Sequence, residues 1–174
     1  SVSGEPYPDH GELWTQPWEV EIEDHNASQA VLHMWCCGSA TNTRLDRWLT
    51  VTHDSPVLSF RYSLSNMDHT ALDFLWKLHP ALHVSPSSRI DLPECTVVRG
   101  DEGFGTLIGE ERFPWSSCSG KNGEPRDLRF MFAEKRPFRE FAYCIDLADG
   151  WCALTDCERS VGFGLRFPRE IFSS

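Results

Sequence analysis

The chain has 174 residues, 40% of them hydrophobic and 24% charged, which is enough for one domain with a sizeable core and no disulfide staples. Its 16 basic residues against 26 acidic ones give a net charge of −10, which argues against nucleic acid or an anionic membrane surface as partner. No apolar run approaches the roughly 20 residues that cross a bilayer, and the first residues lack the basic and apolar parts of a signal peptide.

Seven cysteines are present, as Cys36-Cys37, Cys95, Cys118, Cys144, Cys152 and Cys157. They are not even in number, and none has the spacing of a zinc site. They read as reduced, mostly buried thiols, which points to a reducing, cytoplasmic setting with no metal and no cofactor.

In chain order, Pro8-Asp9-His10-Gly11-Glu12-Leu13-Trp14 comes first and sets a histidine close to a tryptophan. Trp18 to Glu23 then alternates large apolar and acidic residues, the pattern of a strand buried on one face with a solvated acidic face. Carboxylates on Glu19, Glu21 and Glu23 would be spaced by about 7 Å and lack a loop glycine, so they do not read as a calcium site. Gln29 to Cys37 is a second strand, ended by Gly38-Ser39. Arg47 to Thr52 and Val57 to Leu64 form a strand pair around the turn signal Asp54-Ser55-Pro56, giving a meander. His25, His33, His53 and His69 have no mutual spacing that points to a metal.

The segment Phe74-Leu75-Trp76-Lys77-Leu78-His79-Pro80-Ala81-Leu82-His83 follows. Read as extended chain, Lys77, His79 and His83 share one face, and Pro80 ends the strand at His79 or places it at an edge. A polar face beside a broken ladder is a place for a ligand, although a histidine packed and bonded to backbone explains His79 equally well. Strands are expected next at Arg89 to Leu92 and Thr96 to Arg99, then a loop-rich stretch from Gly100 to Pro125. The expected strands resume at Leu128 to Ala133, Glu140 to Leu147, Trp151 to Thr155 and Val161 to Phe167, with Asp149-Gly150 as a hairpin turn signal. No segment keeps apolar residues at helical spacing for three turns.

The pattern predicts an all-β domain over residues 1–174, with about eight to eleven antiparallel strands in two packed sheets or a barrel. Twelve per cent aromatic residues suits such a core, and among the seven tryptophans Trp14, Trp18 and Trp76 are candidate sugar-stacking platforms. Scattered cations at Arg112, Lys121, Arg126 and Arg129 could meet a sugar phosphate, but loop cations are more often solvated. No nucleophile elbow or catalytic cysteine signature occurs.

Three segments together resemble the aldose 1-epimerase, or galactose mutarotase-like, family, including its hexose-6-phosphate branch. Pro8-Asp9-His10-Gly11-Glu12 looks like the family's His-Gly motif. Leu75 to Leu82 looks like the strand that carries a second histidine, and Arg89-Ile90-Asp91-Leu92-Pro93 like the segment after it. Asp149-Gly150-Trp151 with Gly162 to Phe167 is similar to a late hairpin of that fold. The resemblance implies an antiparallel β-sandwich of galactose mutarotase-like type, here lacking terminal strands, and a monosaccharide or sugar derivative as ligand. It implies His79 as the acid that protonates the ring oxygen and His10 as the residue that holds the sugar, with Trp14, Trp76, Lys77, Arg89 and Asp91 binding substrate. Anomer exchange needs a base as well as an acid. The family's glutamate base lies beyond the late hairpin, where this chain offers only Glu170 in an unrelated context. Turnover, sugar binding without turnover, and a packing or interaction role therefore all remain open at this point.

Overall fold

The computed structural model describes residues 10–100, 105, 107–131 and 139–172. Two compact units are resolved, Ser1–Leu78 and His79–Ser174. The described chain is all-β with antiparallel pairing throughout, apart from a short 3₁₀ turn at Glu12–Trp14.

The first unit is a four-stranded meander of β1 (Glu19–His25), β2 (Gln29–Cys37), β3 (Thr43–Thr52) and β4 (Leu58–Asn66), in that spatial order. Each connection is short. Asn26 closes the first turn, its side-chain oxygen accepting from the Ser28 and Gln29 amides. Asp54 adopts φ 61° at the expected Asp54-Ser55-Pro56 turn, a left-handed conformation that aspartate tolerates. Pairing shifts by one residue between Ile22 and Asp24, so Glu23 forms a bulge in the edge strand β1.

Residues paired across an antiparallel ladder share a face. The register therefore sorts this sheet into one polar, aromatic face and one apolar face. The rows Glu19–Trp35–Asp46–Ser63 and Glu21–His33–Trp48–Arg61 lie on the first. The rows Val20–Met34–Arg47–Tyr62 and Ile22–Leu32–Leu49–Phe60 lie on the second. The expectation that β1 buries its apolar side is not met: Val20 is 52% and Ile22 72% exposed. Nor is its acidic side only solvated, because Glu21 pairs with His33 at 3.1 Å.

The described residues of the second unit form eight short strands. A three-stranded sheet orders β10 (Ala142–Ile145), β6 (Thr96–Arg99) and β7 (Arg112–Pro114), and another orders β12 (Val161–Arg166), β11 (Trp151–Asp156) and β5 (Ser88–Asp91). β8 (Ser117–Ser119) pairs with β9 (Pro125–Asp127). A compact core forms from Val97, Ile108, Phe113 and Cys118, with Trp115, Leu128, Ala142 and Cys144 packed against it. Fully burying a side chain of this kind contributes about 1.5–3 kcal/mol.

Four sequence expectations change here. Phe74 to His83 is not a strand. Pro80 has no amide to donate, and Phe74, Leu75 and Leu78 remain exposed with no ladder partner among the described residues. Within the expected loop from 100 to 125, the described residues 107–125 are more ordered than expected, since they hold β7 and β8 and meet β9. These strands are too short to display alternation, and part of the signal lies in glycine: a Cβ on Gly109 would sit 2.5 Å from the Gly120 carbonyl oxygen. Asp149-Gly150 does not join hairpin partners either. β10 pairs with β6, whereas β11 pairs with β12 and β5, so this turn passes the chain between sheets. Nor is the strand expected at Leu128 to Ala133 formed over its described part: Leu128 and Arg129 lie in a turn, Phe130 makes an isolated bridge to Arg89, and residues 132–133 lie outside the described residues.

Candidate functional site

The described part of the His-Gly motif is a fixed turn. His10 and Gly11 both have positive φ, 66° and 86°, so glycine suits the second position and the chain reverses sharply before the 3₁₀ turn. Glu12 points inward and is 8% exposed. Its carboxylate accepts from the Ala40 amide at 2.5 Å, the Thr41 amide at 3.1 Å and the Thr41 hydroxyl. Burial alone would raise the Glu12 pKa. The hydrogen bonds from Thr41, Ala40 and Ser39 outweigh it, and the carboxyl lies below its usual range.

Gly38 makes this anchorage possible, because a Cβ there would stand 2.6 Å from Glu12 Oε1 and 2.6 Å from the Thr41 carbonyl. The β2–β3 connection thus grips the motif from a distance of 28 residues in sequence. What the turn presents outward is an edge-on pair, His10 and Trp14, with ring centroids 5.5 Å apart and Trp14 65% exposed. Pro8 and Asp9 of the motif lie outside the described residues.

Trp76 is half-buried and meets Tyr62 of β4 edge-on, at 4.9 Å between centroids. Beside Tyr62 on the sheet's apolar face, the Arg47 guanidinium lies 4.4 Å above the Trp18 ring and donates to the Met34 sulfur at 3.2 Å. Burial pushes the Tyr62 hydroxyl pKa up, with Arg47 opposing. Trp18 therefore stacks on a cation rather than standing open as a platform. Lys77 and His79 are exposed.

Arg89 and Asp91 project from the same side of β5 and pair with each other at 2.9 Å. The structure brings His10 to Trp14, Trp76 to Tyr62, and Arg89 to Asp91. His10 belongs to the first unit and His79 to the second. Among the loop cations, Arg129 pairs with Asp127 at 2.6 Å, Arg112 with Asp146 at 3.3 Å, and Lys121 donates to the Gly105 carbonyl at 2.8 Å. The Arg129 guanidinium holds the Asp127 carboxyl down at about 2.

Two features of the first unit are not legible in the sequence. In the sequence Glu12 stands out only as part of a motif, not as its anchor, because its partners Ala40 and Thr41 lie 28 and 29 residues further along the chain. His33 has no metal-type spacing in the sequence, yet its two ring nitrogens meet the carboxylates of Glu21 and Asp46. Among the described residues no cluster of three His, Cys, Asp or Glu is arranged to hold a metal. No helix in the described residues is long and apolar enough to cross a membrane. Comparison with family models, curated proteins and solved structures gave no match.

Proposed function

We propose that this chain binds a monosaccharide or sugar derivative as an aldose 1-epimerase-like protein, on an antiparallel β-sandwich of galactose mutarotase-like type. The observation that carries the reading is the His10–Trp14 pair, offered on a turn that Glu12 pins from beneath. An exposed indole next to an imidazole suits a pyranose, since the C–H face of the ring packs on the indole while the histidine bonds a hydroxyl. The motif resemblance and the all-antiparallel architecture support the same assignment.

In this reading His79 gives a proton to the ring oxygen while a base removes the anomeric hydroxyl proton, opening the ring so that it can reclose as the other anomer. Trp14, Trp76, Lys77, Arg89 and Asp91 are the remaining substrate-binding candidates. A cytoplasmic setting fits the thiols: Cys36, Cys95 and Cys118 are buried, and burial lifts the Cys144 pKa to about 12, leaving it unreactive.

Saturation-transfer NMR of anomer exchange on glucose, galactose and glucose 6-phosphate tests the enzyme reading. Exchange that disappears in His79→Ala is the expected result, and wild-type rates in that variant would remove His79 as the acid. A second reading, sugar binding without turnover, is favoured by the state of Glu12. This carboxylate is buried and held by Ala40 and Thr41, so it is committed to the turn and not poised as a base. Under that reading the sugars change tryptophan fluorescence with no acceleration of exchange.

A further inference from the structure

His33 sits in the middle strand pair of the first sheet with both ring nitrogens against carboxylates. Nδ1 lies 3.1 Å from Glu21 Oε1 on β1, and Nε2 lies 2.9 Å from Asp46 Oδ1 on β3. A neutral imidazole has a single N–H. One of the two contacts would then set a nitrogen lone pair against a carboxylate oxygen, which is repulsive. Only the imidazolium donates to both.

The surroundings act in the same direction. Trp48 of β3 stacks parallel to the imidazole at 4.5 Å, and Trp35 of β2 leans on it at 4.9 Å, faces that favour a cation. The charged groups on this face are Glu19, Glu21, Asp24 and, at the bulge, Glu23 from β1, Arg44 and Asp46 from β3, and Arg61 from β4. Arg44 is engaged with Asp46 at 2.8 Å, and Arg61 lies 3.5 Å above the Trp48 ring.

We propose that His33 is a proton-operated clasp that, as imidazolium, ties the edge strand β1 to β3 across β2, and that releases Glu21 when it loses its proton. Glu21 is the partner that leaves because Asp46 keeps Arg44 and the remaining N–H, while the Glu21 side chain is 57% exposed and is taken up by water. The hydrogen bond to Glu21 and then that to Asp46 raise the His33 pKa above its usual value, against the opposing effect of burial. The sign follows: the clasp is fully closed below the ordinary histidine value of 6.5 and opens as pH rises through the elevated one. β1 is the strand into which the His10–Trp14 turn leads, so its loosening is felt next to the proposed sugar platform.

The test is a ring-nitrogen NMR titration of His33 in the whole chain, with amide hydrogen exchange of β1 corrected for intrinsic rates, from about pH 5.5 to about pH 8.5. Both nitrogens are expected to be protonated near neutrality. β1 protection is expected to fall about tenfold for each unit by which the clasp raises the His33 pKa, while β3 protection holds. Glu21→Gln should lower that pKa and flatten the β1 profile, and His33→Gln should flatten it completely. A neutral His33 at about pH 6, or a β1 profile unchanged in Glu21→Gln, overturns the proposal.

Discussion

The two units hold themselves together by different means. In the second, Val97, Ile108, Phe113 and Cys118 are packed away from water and short strands gather around them. In the first, Cys36 and Leu45 are the only described residues of the sheet that are both apolar and buried, and much of its apolar face stays open at Val20, Ile22, Val51, Leu58 and Phe60. Its specificity comes instead from rows of side chains that run across the strands, such as Glu21–His33–Trp48–Arg61. The lesson is that a long, regular ladder does not imply a buried core, and short irregular strands do not imply its absence.

That contrast can be broken most sharply in the second unit. Phe113→Ala removes a ring that is 4% exposed, and its expected cost is about 3–5 kcal/mol, read by denaturant unfolding. A loss below about 1 kcal/mol would show that the core does not hold that unit. The next effect belongs to the first unit and is polar. Glu12→Gln keeps the shape but gives up a charged acceptor, and about 1.5–3 kcal/mol should be lost near neutral pH together with the fixed environment of Trp14, visible in its fluorescence. Because the folded Glu12 pKa is depressed, its contribution is present above the ordinary value of 4.5 and is lost as pH falls through the lower, folded one. The variant should therefore show less acid sensitivity than the parent over that window. Smallest of all, Ile22→Thr on the open face should shift stability by no more than about 0.5 kcal/mol. A cost of about 2 kcal/mol would mean that this face is covered in solution.

Much of the first unit could be read from its residues. Alternation over Trp18 to Glu23, the Gly38-Ser39 stop and the Asp54-Ser55-Pro56 turn place four strands in the right order, because each signal is local. The same local signals mislead at Phe74 to His83, where apolar content mimics a strand but Pro80 and the lack of a ladder partner prevent one. In the second unit the strand pairs are set by contacts distant in sequence, as when β11 chooses β5 rather than β10. Asp149-Gly150 carries no sign of that choice. The candidate site divides in the same way: the residues of the His10 to Trp14 turn stand out in the sequence, whereas the hold that Ala40 and Thr41 keep on Glu12 exists only after folding.

The bulge at Glu23 has a consequence for how this protein meets others. An edge strand is an invitation to add one more strand, and β1 is such an edge. The extra residue breaks its rhythm, and Glu19, Glu21, Glu23 and Asp24 line its length with negative charge. A second copy of the same edge would meet both a misfit and its own repulsion, so self-templated growth along β1 is discouraged. A guest strand able to dock there would have to be basic and to carry a matching irregularity.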